Sequence, residues 1–212
     1  MNITVIGAGN MGASFVKQLS KAGHTVKVTA RDLAKAEAVA AQYDNVTAVA
    51  GDNAASGADI VIAATAYKDA VSALQAAGNL SGKVVIDISN PVADDFMSLT
   101  LGHVTSAAEE ISRALPEARV VKAFNTVFAQ VLGGGADFGN GVTVPVFVAS
   151  DDDAAKATVT ELVQSLGFKA TDAGGLVNAR YLEPLGGLNI YFGYGAGLGT
   201  DIAPAWLHKS AS

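Results

Sequence analysis

The chain has 212 residues, half of them hydrophobic and 16% charged, with 20 acidic against 14 basic side chains, a net charge of −6 and no cysteine. That length and apolar fraction fit one domain with a sizeable core and exclude a disordered chain. The missing cysteines remove disulfides, thiolate metal sites and cysteine nucleophiles, and the acidic balance without a Lys/Arg cluster argues against nucleic acid. A cytoplasmic protein is expected, with no secretory leader before the first strand and no apolar run long enough to cross a membrane.

Residues 3–6 form a short β-rich run that stops at Gly7. Residues 10–22 then carry Met11, Phe15, Val16 and Leu19 at helical spacing, and Gly23 ends that helix. A strand is expected at 25–29, and Asp32 is a natural N-cap for a helix at 33–42. A short strand at 46–49, a buried run at 59–63, a helix at 69–77 and a strand at 84–87 continue the alternation. Such alternation requires parallel strands with crossover helices, hence an α/β fold with a Rossmann-like, doubly wound, mostly parallel sheet. After an irregular segment at 92–103, a helix at 106–115 and a strand at 119–123 complete six strands. A glycine-rich loop at 133–141, a strand at 142–149, a helix at 152–166 and a strand at 168–171 are expected to extend the same sheet. Residues 1–175 read as the nucleotide-binding domain and 176–212 as a small C-terminal extension. That extension looks helical, yet Gly186, Gly187, Gly193, Gly195, Gly197 and Gly199 cost roughly 1 kcal/mol each in a helix relative to Ala, so they need a packing or binding reason.

Gly7-Ala8-Gly9-Asn10-Met11-Gly12 follows the first strand and opens the first helix. This is the dinucleotide fingerprint: Gly7 for the tight turn, Gly9 for backbone approach to pyrophosphate and Gly12 for helix-on-strand packing. Asn10 and Met11 begin the helix whose positive end would face the phosphates. The second strand ends in Thr29-Ala30-Arg31 without the carboxylate that binds a ribose 2′-hydroxyl. Arg31 can fork onto a 2′-phosphate, and Lys35 stands one helical turn further on, so NADP(H) is the expected cofactor. The competing readings are Asp32 as a ribose ligand and Arg31 as a solvated charge. Ala64 and Tyr67, Asn90 and Pro91, and Phe124 and Asn125 follow later strands and should line the nicotinamide cleft. Tyr67 would cover a ring, and Asn90 or Asn125 would bond the carboxamide. The plainer alternatives make Asn90-Pro91 a turn and Phe124 core.

Other constellations fail. His24, His103 and His208 lie far apart without paired carboxylates and read as surface histidines, with no metal or triad. Residues 78–83 have the wrong spacing for a P-loop, and Asp151-Asp152-Asp153 reads as a helix start.

The fingerprint and Thr29-Ala30-Arg31 occur together with Val121-Lys122-Ala123-Phe124-Asn125-Thr126, Asp172-Ala173-Gly174 through Asn178-Ala179-Arg180, and Ser106-Ala107-Ala108-Glu109. Along nearly its whole length the chain resembles the NADPH-dependent reductases of the deazaflavin coenzyme F420. The resemblance implies NADPH in the Gly7/Arg31 groove and direct hydride transfer to a small-molecule acceptor, a flat ring such as F420 as co-substrate. Related hydroxyacid dehydrogenases use a lysine on a helix of a second domain; here only Lys209 follows Arg180, so no catalytic acid or base is expected. An acceptor slot is expected between 92–103 and 185–194, and the apolar glycine-rich end suits a homodimer. Reduction of a flavin, quinone or imine, and a non-catalytic NADP(H) sensor, stay open as alternatives.

Overall fold

The computed structural model describes residues 1–207 and 209; His208, read above as a surface histidine, lies outside the described residues. The alternation begins β1 (Asn2–Ile6), α1 (Asn10–Lys21), β2 (Thr25–Thr29), α2 (Leu33–Ala40), β3 (Val46–Ala48), β4 (Ile60–Ala63) and α3 (Tyr67–Ala76). It continues through β5 (Val84–Asp87), α4 (Ala107–Ala114), β6 (Arg119–Lys122) and α5 (Ala129–Gly134). β1 to β6 make one all-parallel sheet in the order β3-β2-β1-β4-β5-β6. The fold is Rossmann-like α/β, and its strand order reverses between β1 and β4, where diverging connections leave a crevice at the carboxyl ends.

Alternate residues of each strand serve opposite layers. Ile3, Val5, Ile60, Ile62, Ile86 and Val121 join the core shared with α1 and α2, whereas Ile6, Val61, Ala63, Val85 and Val120 pack with α3 and α4. Burial on both faces is why these strands read as continuous apolar runs.

Past α5 the expected extension of the sheet is not what forms. β7 (Pro145–Val148) and β8 (Lys169–Asp172), linked by α6 (Asp153–Ser165), pair in parallel as a separate ladder. It meets β6 through one antiparallel bridge, Lys122 to Ala149. Ser150 Oγ donates to the Val120 carbonyl at 2.8 Å, so a side chain satisfies the edge group of β6 that a neighbouring strand would have taken.

α7 (Ala179–Ile190) runs on into one wide π-type turn over Tyr191–Gly195. Close approach explains its glycines: a Cβ on Gly186 would stand 2.5 Å from Asn90 Oδ1, and one on Gly193 would stand 2.7 Å from the Phe128 ring. The helix thus exchanges intrinsic propensity for contact with the strand ends. His24 corrects another expectation. It is buried, with Nε2 2.9 Å from Ser165 Oγ and Nδ1 3.4 Å from the Met1 amino group; burial and that neighbouring charge lower its pKa. Among the described residues, no helix is long and apolar enough to cross a membrane.

Candidate dinucleotide and acceptor site

The turn between β1 and α1 is built from opposite constraints. Gly7 has φ +117°, donates its N–H to the Thr29 carbonyl at 2.8 Å, and has no room for a Cβ against the Ala64 carbonyl. A Cβ on Gly12 would overlap the Gly7 carbonyl, which fixes how closely α1 lies on the strand. Gly9 faces open space, with nothing within 4 Å of where its Cβ would be. Asn10 is exposed, Met11 packs against the larger core, and no side chain caps the N-terminus of α1. Free amides facing open space fit a pyrophosphate.

At the end of β2, Thr29 Oγ1 is buried with no hydrogen-bond partner. The Arg31 side chain is 91% exposed and reaches Asp69 Oδ2 at 3.6 Å, across the crevice from α3, while Lys35 is exposed on α2. Asp32 occupies the N-cap position of α2, but its side chain makes no capping bond. Capping therefore does not account for its carboxylate. By contrast, Asp152 Oδ1 accepts from the Ala155 amide at 2.8 Å, as expected for a helix start.

The ends of β4, β5 and β6 lie side by side. Ala64 is held against Gly7, and Thr65 Oγ1 is buried without a partner. Tyr67 opens α3; burial and the carboxylates of Glu110, Glu183 and Asp87 raise its pKa, so the phenol keeps its proton at neutral pH. Asn90 Nδ2 donates to the Asn125 carbonyl at 2.8 Å, and Asn125 Nδ2 donates to Asn90 Oδ1 at 2.9 Å and to the Leu182 carbonyl at 2.7 Å. Asn125 Oδ1 is left buried and unpartnered. Asn90 is therefore more than a turn residue. The Pro91 carbonyl accepts from both the amide and the hydroxyl of Thr100, pinning the irregular segment.

Phe124 is a correction. Its side chain is 1% exposed and meets Phe15 and Phe168 edge-on at 5.0 and 6.1 Å, so it belongs to the core and gives no side-chain surface to the cleft. Its φ of +61° turns the chain at the end of β6 and leaves Asn125 beside Asn90.

The segments expected to form the acceptor slot meet where Gly187 packs on Leu99, and Gly195, one residue beyond them, packs on Met97. Phe128 contacts Tyr194 edge-on at 5.7 Å. A cavity of about 900 Å³ opens between residues 99–103 and the start of α7. Thr65 and Ser89, in the strand-end segments expected to line the cleft, both have unpartnered hydroxyls, whereas sequence reasoning missed a buried ion cluster of Asp87, Lys122 and Glu183. The available signal was charge at the ends of two otherwise apolar strands, Val84-Val85-Ile86-Asp87 and Val120-Val121-Lys122.

Known proteins are similar to this chain in sequence and in fold. Residues 2–91 match the family model described as NADP oxidoreductase coenzyme F420-dependent. A crystal structure from Arthrobacter sp. FB24, provisionally described as an F420-dependent NADP-reductase, is 32% identical with a TM-score of 0.82, over 94% of this chain and 96% of that one. Rat metalloreductase STEAP3 is 30% identical over 183 residues, which are 86% of this chain; the chain spans 36% of that protein's length. A reductive aminase from Aspergillus terreus, solved with NADPH, shares the fold at 20% identity and a TM-score of 0.66, over 92% of this chain and 63% of that one. The chain belongs to the family of coenzyme F420-dependent NADP oxidoreductases.

Proposed function

We propose that this protein is an NADPH-dependent reductase that passes hydride directly to a flat ring acceptor, with the deazaflavin F420 as its first candidate. The observation that carries this reading is the series of buried, unpartnered oxygens, Thr29 Oγ1, Thr65 Oγ1 and Asn125 Oδ1, at the strand ends around an uncapped phosphate turn. Each costs on the order of 1–3 kcal/mol while unpaired, which a ligand that bonds it recovers.

Asn125 has both a fixed orientation and a fixed polarity. Its amide nitrogen is already committed to Asn90 and Leu182, so only the oxygen faces a ligand, and it accepts an N–H of the kind a carboxamide offers. Gly9 gives the pyrophosphate its space, and Arg31 turns from Asp69 to a 2′-phosphate. The bound nicotinamide supplies the hydride. The apolar and aromatic side chains of Met97, Leu99, Phe128 and Tyr194 hold the acceptor ring and exclude water, and no side chain need exchange a proton.

Purified protein with NADPH is expected to bleach the visible absorption of oxidised F420, to act more weakly on free flavins, and to leave simple ketones and hydroxyacids untouched. Faster turnover of a ketone than of F420 overturns the reading. NADPH binding without turnover of any acceptor favours a non-catalytic NADP(H)-binding protein. Because one relative is named a metalloreductase, ferric chelates with and without added flavin form a second arm of the same assay.

A further inference from the structure

Lys122 ends β6 with its side chain 0% exposed. Its ammonium donates to Asp87 Oδ2 at 2.7 Å, to Glu183 Oε1 at 2.8 Å and to the Ser89 carbonyl. All three protons are used, so this lysine is neither a free proton donor nor a nucleophile. Asp87 Oδ1 accepts in turn from the Ser89 amide at 2.9 Å. The Glu183 carboxylate accepts from the Ala107 amide at 2.9 Å and from the Ala108 amide at 3.2 Å, the first N–H groups of α4. Glu183 thus sits at the positive end of the α4 helix. Four elements, β5, β6, α4 and α7, are joined at this point.

The cluster lies directly behind the strand-end amides. Asp87 precedes Asn90 by three residues, as Lys122 precedes Asn125. Leu182, whose carbonyl orients the Asn125 amide, is the residue before Glu183, and Gly186 packs on Asn90 one helical turn further along. The helix that Lys122 ties down therefore supplies the contacts that aim Asn125. Buried ion clusters are seldom more stabilising than apolar residues of the same volume, so stability by itself is a poor reason for a wholly buried lysine here.

We propose that Lys122 is a positioning residue for hydride transfer. Through Glu183 it sets the register of α7 against the ends of β5 and β6, so that Asn125 presents its free oxygen to the nicotinamide carboxamide and α7 backs the acceptor. This inference rests on the NADPH reading given above.

The test compares the parent with a neutral near-isostere of the whole cluster, Asp87→Asn with Lys122→Met and Glu183→Gln, and with Glu183→Gln alone. Circular dichroism reports folding, calorimetry with 2′,5′-ADP reports the adenosine end, and the fluorescence of bound NADPH reports how firmly the nicotinamide is held. The neutral variant is expected to fold and to bind 2′,5′-ADP within about twofold of the parent, since that end lies across the sheet. It should lose most of the parent's NADPH fluorescence enhancement, and kcat with the acceptor should fall at least about tenfold while KM for NADPH changes little. Glu183→Gln should move the same way by less. A folded neutral variant with the parent's fluorescence and kcat overturns the proposal, as does failure of both variants to fold, which would assign the cluster to stability alone. A parent protein that binds 2′,5′-ADP but not NADPH, or neither, removes the cofactor reading itself, and this inference with it.

Discussion

Gly9 and Gly12 belong to one turn and are glycines for opposite reasons. A Cβ on Gly12 would collide with the Gly7 carbonyl, whereas one on Gly9 would meet nothing within 4 Å. Gly9 also has an extended backbone, φ −79° and ψ −169°, which a β-branched residue adopts without strain. Gly9→Val should therefore keep a native circular dichroism spectrum and lose NADPH binding, because its side chain fills the space a pyrophosphate needs. Retained binding in calorimetry would remove the phosphate-turn assignment. Arg31 tests the other end of the cofactor. Its link to Asp69 is long and solvent-exposed, so little is lost when the guanidinium turns to a phosphate. Arg31→Ala should reduce the preference for NADPH over NADH by roughly 10- to 150-fold, the equivalent of about 1.5–3 kcal/mol for a charge-assisted contact. Equal affinities of the parent for both cofactors would show Arg31 to be a solvated charge only.

The helices that flank the site are held by end contacts more than by propensity. α4 begins with Ser106 as a side-chain N-cap: its Oγ accepts from the Glu109 amide at 3.2 Å and donates to the Glu109 carboxylate at 2.8 Å. That carboxylate also takes Arg180 of α7 through Nε at 2.9 Å and Nη2 at 2.6 Å, which lowers the Glu109 pKa and links the two helices. Ser106→Ala should destabilise the protein by about 1 kcal/mol, with Tm falling by about 2–4 °C for a chain of this size. An unchanged Tm in scanning fluorimetry would mean that the cap contributes nothing. α7 contains Pro184, which lacks an N–H for the helix ladder, together with Gly186 and Gly187. It is a poor helix by propensity, and its place follows from Glu183, Leu182 and Arg180 reaching the neighbouring elements.

For the whole molecule, the strand order puts every candidate contact on one edge of one sheet. The crevice exists because β2 and β4 lie on opposite sides of β1, and the Gly7–Gly12 turn, Arg31 and the Asn90–Asn125 pair all follow strands at this carboxyl end, where the proposed cofactor would lie. A ligand spanning that groove stabilises the native state as a unit. NADPH at about 100 times its Kd should add about 2.7 kcal/mol, and Tm should rise by roughly 5–10 °C. NADH at the same concentration should raise it less. Equal shifts for the two cofactors, or none, would contradict the NADP reading of the groove.

The order of strands and helices through β6, the Gly7–Gly12 turn and the positions of the candidate residues at the strand ends were legible in the sequence because each rests on neighbours within a few residues: apolar periodicity, turn chemistry and the geometry of a strand entering a helix. Other features depend on which distant element covers a given side chain. The pairing of Asp87 with Lys122 spans 35 residues and that of Lys122 with Glu183 spans 61, so no local pattern distinguishes these buried charges from solvated ones. His24 is buried because Ser165, 141 residues away, packs over it, and Phe124 points inward because Phe15 and Phe168 make a socket for it. β7 and β8 form their own ladder, and Ser150, which follows β7, takes the Val120 carbonyl at the edge of β6. Burial, and the partner each buried polar group finds, are properties of the assembled sheet and its layers; they arise only when residues far apart along the chain are brought into contact.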